Sequence, residues 1–142
     1  MDAKIILAEH ARVSEGKLDI LGGGWNVASP IPRINALGLL LEVPWAELGV
    51  EHSVEIALLD GNDAPVLDLD GQPIRIDGRF TAEKPPGVLL GKAATMPLAL
   101  TIPPLTLQPS KDFKWRLSID GHSKLEWEVG FSTPPSPHRL AS

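Results

Sequence analysis

The stretch FKWRLSIDGHSKLEWEVGF, residues 113–131, alternates between apolar and polar side chains on both sides of Asp120 and Gly121. A period of two places every second side chain on the same face of a β-strand, so each half of the stretch is predicted to bury one face. Asp-Gly supplies the positive φ values that a tight hairpin turn needs. The stretch therefore predicts an antiparallel β-hairpin, and its expected core residues are Trp115, Leu117, Ile119, Leu125, Trp127 and Val129.

The rest of the chain repeats this pattern in short segments separated by turn residues. Strands are predicted over residues 4–13, 18–28, 37–43, 52–59, 66–69, 74–80 and 96–107. Pro44 and Gly49 enclose a segment that favours one or two helical turns, because proline suits the first helical position and glycine the stop. The fold class is therefore predicted to be all-β, an antiparallel β-sandwich of about eight strands with at most one short helical turn.

Length and charge restrict the classes of protein to which the chain can belong. Its 142 residues fit one domain, predicted over residues 1–132, and the proline-rich residues 133–142 are expected to form a flexible tail. The net charge of −5 argues against a nucleic-acid partner. No apolar run is long enough to span a membrane or to act as a secretory signal, so we expect no membrane partner and a cytoplasmic location. The absence of cysteine excludes thiol chemistry.

Glu9 falls on the apolar face of the first predicted strand and is the candidate buried polar residue. A carboxylate in that position is costly unless it is paired, hydrogen-bonded or redirected by a bulge. We interpret it as a structural hydrogen-bonding residue rather than a general base, because no candidate nucleophile or acid lies near it in the sequence. Between Leu18 and Val27 the apolar phase changes at Gly22-Gly23-Gly24, which predicts a bulge in the second strand.

Several segments resemble those of a known protein family. They are LAEHA (7–11), GKL (16–18), ILGG (20–23), PLAL (97–100), PPL (103–105) and WRLSIDG (115–121). Together they resemble a family of small uncharacterised bacterial and phage-borne β-sandwich proteins, a domain of unknown function. The resemblance covers nearly the whole chain up to about residue 131. It implies a single compact β domain and transfers neither an activity nor functional residues.

The sequence carries no motif that predicts catalysis, a metal or a cofactor. None of the four histidines has a neighbour at metal-ligand spacing, and no serine stands in a Gly-x-Ser-x-Gly elbow. The acidic stretch 60–70 does not fit an EF-hand, because Pro65 and Gly71 occupy the positions that require glycine and glutamate. Ordinary turn formation by Asp and Asn is the preferred interpretation, with calcium as the alternative. We predict no enzyme activity, no catalytic residues and no cofactor.

The preferred functional hypothesis is a non-catalytic protein-interaction module that binds a protein partner or another copy of itself. Its candidate interface residues are Val88, Leu89 and Leu90, three consecutive apolar residues in an otherwise polar loop, and Trp45, which follows a proline. Neighbours in a strand point to opposite faces, so no strand pattern buries all three loop residues. The alternative is a module that binds a small ligand, either a carbohydrate at Trp45 or a metal at the acidic loops. A hydrolase of unknown type is third.

Overall fold

The computed structural model describes residues 1–84 and 91–136. These residues form nine β-strands and one short 3-10 turn, so the predicted all-β fold is confirmed. The strands pair only in antiparallel fashion within three sheets. Their bounds are β1 Asp2–Ala8, β2 His10–Ser14, β3 Lys17–Leu21, β4 Asn35–Val43, β5 Glu51–Asp60, β6 Arg75–Thr81, β7 Ala94–Ile102, β8 Asp112–Ile119 and β9 His122–Ser132.

Two of the sheets enclose the core. A three-stranded sheet has the order β1-β4-β7, and a four-stranded sheet has the order β6-β5-β8-β9. Alternate side chains of both sheets belong to one hydrophobic cluster, as a sandwich of two half-buried sheets requires. Its most completely buried members include Leu37, Leu39, Leu41, Ile56, Leu58, Trp115 and Leu117.

The third sheet is the β2–β3 hairpin, which packs on the outer face of the three-stranded sheet. Gly38 of β4 makes this contact possible, since an added Cβ would lie 2.9 Å from Cδ1 of Ile20 and 3.2 Å from Cδ2 of Leu18. The middle of β4 is therefore covered on both faces. This explains why its sequence is an almost continuous apolar run rather than an alternating one.

The first predicted strand is interrupted at Glu9, and the prediction that Glu9 is buried is wrong. β1 ends at Ala8 and β2 begins at His10, so Glu9 lies at a bend and its side chain is exposed. Its N–H donates to the carbonyls of Leu21 (3.1 Å) and Gly22 (3.2 Å), which fixes the bend. Side chains alternate between two faces only as long as a strand keeps its direction. Because the chain bends at Glu9, its side chain does not lie on the apolar face that the alternation predicted.

The glycine triplet ends the second predicted strand instead of forming a bulge within it. β3 stops at Leu21, and Gly22 and Gly24 adopt φ values of 64° and 86°. These values lie in the left-handed region that glycine adopts without strain. A Cβ on Gly22 would also lie 2.6 Å from Cγ of Glu9, so this position has no room for a side chain.

The hairpin of β8 and β9 is confirmed, but one of its six predicted core residues is wrong. Four of them are buried and Val129 packs partly buried against the core, whereas the Leu125 side chain is 84% exposed. The register between the strands shifts beside Arg116, so residues 124–127 of β9 lie opposite Leu117 alone. The Leu117 carbonyl accepts a hydrogen bond from Oγ of Ser123 (2.5 Å) within this bulge. The extra residues carry Leu125 out of the core face.

The connections agree with the sequence in part. A 3-10 turn, η1 (Trp45–Glu47), lies where a helical turn was predicted. Residues 66–69 do not form a strand, since Leu67 alone among them makes an isolated bridge, with Pro73, and β7 ends before the two prolines that the predicted strand 96–107 included. Thr133, at the start of the predicted tail, is fixed to the domain, because its N–H donates to the carbonyl of Lys111 (2.9 Å).

In the part of the chain that the structure describes, no helix has the length and apolarity needed to cross a membrane.

Candidate functional site

The free edge of β7 differs in charge from the other sheet edges. β1 and β7 are the outer strands of the three-stranded sheet, and β6 and β9 those of the four-stranded sheet. Charged residues on an edge strand discourage pairing with another chain. β7 has none over its nine residues. The other three edges carry charges: Asp2 and Lys4 on β1; Arg75, Asp77 and Arg79 on β6; and Lys124, Glu126 and Glu128 on β9.

The apolar side chains of β7 are only partly buried, although they face the core. Met96, Leu98 and Leu100 pair in register with Leu41, Leu39 and Leu37 of β4. The three leucines of β4 are completely buried, whereas their partners on β7 retain partial exposure. Among the described residues β7 is the outer strand, so no described strand on its second side completes this burial. A strand added to this edge would cover the exposed part of the row.

Pro97 shows which backbone groups of β7 face outward. It pairs with Leu40 of β4, and proline has no N–H to donate. Within a sheet, proline is accommodated where its nitrogen faces away from the neighbouring strand. Since backbone groups alternate in direction along a strand, the N–H groups of Thr95, Ala99 and Thr101 also face the free edge. The edge therefore offers a row of donors and acceptors with one donor missing in the middle.

Trp45, the predicted interface tryptophan, lies at the end of the three-stranded sheet where β7 begins. It lies two residues after Val43, which pairs with Ala94, the first residue of β7. Its side chain is partly buried, and the Nζ atom of Lys84 stands 4.5 Å from the ring centroid. The indole therefore already has a cation over its ring. The other predicted interface residues, Val88, Leu89 and Leu90, lie outside the described residues.

A buried histidine that the sequence analysis did not single out joins three parts of the fold. The His52 side chain is 4% exposed, and its ring stacks on that of Phe80. Nδ1 lies 2.6 Å from Oδ2 of Asp120, in the turn between β8 and β9, and Nε2 lies 2.8 Å from the carbonyl of Glu47 in η1. The burial of His52 could be predicted from the sequence, because in the alternating pattern of β5 it shares a face with Val54 and Ile56. Its partner, 68 residues away, was not predictable from spacing.

The outer face of the four-stranded sheet carries a network of ion pairs. Arg116 donates to Oε2 of Glu128 from both Nε (3.2 Å) and Nη2 (3.0 Å), and Lys114 lies 3.1 Å from the same oxygen. Lys114 also contacts Asp63, and this hydrogen bond lowers the pKa of the Asp63 carboxyl. These charged side chains pair with one another on a face that is in contact with solvent. The face is therefore poorly suited to an apolar partner.

The carboxylates of the acidic loop act in its turns. Oδ1 of Asp60 accepts hydrogen bonds from the N–H groups of Asn62 (2.8 Å) and Ala64 (3.0 Å). Oδ1 of Asp68 repeats this arrangement with Asp70 (2.8 Å) and Gln72 (3.0 Å). Both are Asx turns, in which a side chain stabilises its own loop. Within residues 1–84 and 91–136, no group of three or more histidine or acidic side chains is placed to hold a metal ion.

A small cleft lies at the end of the molecule where β7 finishes. Its cavity is about 210 Å³, and prolines and leucines from three loops form its wall. A narrower cavity of about 40 Å³ continues inward to Trp25 and Trp115. The indole N–H of Trp25 is buried without a hydrogen-bond partner among the described residues. The cavity is smaller than typical ligand pockets, which measure roughly 300–1,000 Å³, and its volume suits a small apolar group.

Comparison with known proteins gives a family but no function. The model of a family described as "Family of unknown function (DUF6941)" matches residues 4–130, which include all the strands except the start of β1 and the end of β9. No curated protein and no solved structure matches the chain. The expected resemblance to an uncharacterised domain family is thereby confirmed.

Proposed function

The chain belongs to the DUF6941 family, and we propose that it is a non-catalytic protein-interaction module that binds a partner strand along the free edge of β7, with a second copy of the chain as the first candidate partner. One observation carries the proposal. β7 lacks the charges present on the other edge strands, and its core-facing side chains remain partly exposed. Strand addition to such an edge provides main-chain hydrogen bonds and buries apolar side chains together.

A second copy suits this edge because two β7 strands are matched in both charge and composition. Antiparallel pairing about a two-fold axis places the same surface on both sides of the interface. Since β7 carries no charge, the pairing brings no like charges opposite each other. Pro97 removes one donor on each strand, while the N–H groups of Thr95, Ala99 and Thr101 remain for the partner.

The alternative of a small-ligand module has less support from the geometry. Lys84 already stands over the Trp45 ring on which a sugar would stack. Asp60 and Asp68 each use a carboxylate oxygen in their own loop. Neither observation favours the carbohydrate or the metal, so the interaction module remains the preferred proposal.

The test is the oligomeric state of the full chain as a function of concentration. Sedimentation equilibrium of the parent should show the mass rising towards that of a dimer. The variant Thr95→Lys/Thr101→Lys places a charge at the two exposed positions of β7, and it should remain a monomer with the far-ultraviolet circular dichroism of the parent. The matched control Thr95→Val/Thr101→Val keeps the shape and adds no charge, so it should associate as the parent does.

Two results would overturn the proposal. A parent that is monomeric at every concentration excludes the second copy as partner. A lysine variant that associates like the parent shows that the contact lies elsewhere than at β7.

A further inference from the structure

His52 lies between two groups that only accept hydrogen bonds. One is the backbone carbonyl of Glu47 and the other is the carboxylate of Asp120. Neither can donate when Asp120 is ionised, so both ring nitrogens must carry a proton for both contacts to be hydrogen bonds. That state is the charged imidazolium. A neutral ring has one proton and leaves one nitrogen facing an acceptor oxygen without a hydrogen between them.

The surroundings of the ring favour the charged state. Burial acts against it and lowers the pKa of His52, but the hydrogen bonds to Glu47 and Asp120 and the two negative charges together raise that pKa above 6.5. The Glu47 side chain, from η1, contributes one of those charges. The pKa of the Asp120 carboxyl is lowered first by the hydrogen bond with His52 and then by that with the N–H of Ser53, and His122 on β9 adds to this. The element packed on the ring face, β6, contributes the apolar ring of Phe80.

The two hydrogen-bond acceptors of His52 differ in the other bonds that hold them in place. Asp120 is also tied to β5 without His52, because its Oδ1 accepts the N–H of Ser53 (2.9 Å) and its own N–H donates to the carbonyl of Ser53 (3.0 Å). The backbone bonds of η1 itself connect the turn only to itself and to Pro44, and the next backbone bond to another element is that from the N–H of Gly49 to the carbonyl of Ala82 (2.8 Å). When His52 is neutral, its remaining proton goes to the stronger acceptor, the carboxylate. The contact that is lost is therefore the one to Glu47.

We propose that His52 is a pH-sensitive contact: when protonated it ties the η1 turn to the four-stranded sheet through the carbonyl of Glu47, and when deprotonated it loses that hydrogen bond while Leu48 and Trp45 stay packed against the core. This goes beyond the proposed interaction through β7 and does not depend on it. The ion pair requires ionised Asp120 and charged His52, so the contact is fully present between pH values of about 3.8 and 6.5. It is lost as the pH rises through the pKa of folded His52. The turn that changes is the one that presents the predicted interface tryptophan.

Nuclear magnetic resonance of the full chain tests this directly. We expect the ¹⁵N signals of His52 to show two protonated nitrogens at pH 6, with a titration midpoint above 6.5. The amide signals of Glu47 and Leu48 and the indole signal of Trp45 should move with the same midpoint. The variant Asp120→Asn removes the negative acceptor and should lower the midpoint. The control His122→Gln removes a neighbouring histidine that does not bind η1, so the turn signals should keep their titration.

A midpoint of His52 at or below 6.5 would overturn the proposal. The same holds if the turn signals fail to follow the His52 titration, since a purely structural histidine would leave them unchanged. Both measurements use the parent chain, so the result stands even where Asp120→Asn fails to fold. Association through β7 is measured separately, and either proposal can fail without the other.

Discussion

β4 and β7 are adjacent strands of equal length and similar apolar composition, yet β4 is much more completely buried. β4 has a strand on each side, the four-stranded sheet on one face and the β2–β3 hairpin on the other. β7 also contacts the β2–β3 hairpin on its outer face, but among the described strands it has a hydrogen-bonded neighbour on one side only. An apolar sequence therefore indicates that a strand can be buried, while its position in the sheet decides how much of it is buried.

The same contrast occurs between the two strands of the β8–β9 hairpin. β8 lies between β5 and β9 and alternates as its sequence predicts. β9 is an edge strand with a bulge. Because of the bulge, two large apolar residues for which the alternation predicts the same burial differ in exposure. Trp127 is 3% exposed and Leu125 is 84% exposed. Edge strands tolerate such irregularity because only one ladder of hydrogen bonds constrains them.

The largest expected effect comes from this pair in β9. Trp127→Ala should lower the free energy of unfolding by about 3–5 kcal/mol, because a large aromatic side chain leaves a cavity in the core. Leu125→Ala should change it by less than about 0.5 kcal/mol, the usual range for exposed substitutions. Urea denaturation of both variants measures the difference. Equal losses would show that the bulge does not expose Leu125.

A smaller difference in the loss of stability is expected between substitutions in β4 and in β7. Leu39→Ala removes a completely buried side chain and should cost about 2–5 kcal/mol. Leu98, its partner in register, is partly exposed, so Leu98→Ala should cost roughly 1 kcal/mol in the monomer. Denaturation at low protein concentration, at which the proposed association through β7 would not contribute, measures both values. If Leu98→Ala costs as much as Leu39→Ala, the edge of β7 is covered in the monomer.

Features confined to neighbouring residues were predictable from the sequence. The alternation in β8, the Asp120-Gly121 turn and the helical turn after Pro44 all follow from local patterns, and the structure contains each of them. The β-sandwich itself follows from the number of such segments.

Features that depend on contacts between distant segments were not predictable. Glu9 is exposed because the chain bends there onto the outer face of the three-stranded sheet, and Leu125 is exposed because β9 shifts its register against β8. The contact of His52 with Asp120 joins residues 68 positions apart. The absence of charge in β7 is visible in the sequence, but its meaning requires knowing that β7 is an edge.

The last and smallest expected effect concerns what covers β4. Gly38→Ala adds a methyl group where an added Cβ would meet Cδ1 of Ile20 at 2.9 Å, so either the Ile20 side chain or the whole β2–β3 hairpin must move. We expect a loss of about 1–3 kcal/mol, the usual cost of overpacking. Gly78→Ala is the matched control, since it also lies within a strand but its Cβ would meet Val54 at 3.5 Å, an ordinary contact. That variant should keep the parent's stability or exceed it, because alanine restricts the unfolded chain more than glycine does. If both variants melt at the same temperature, the packing of the hairpin on β4 does not depend on the absence of a side chain at Gly38.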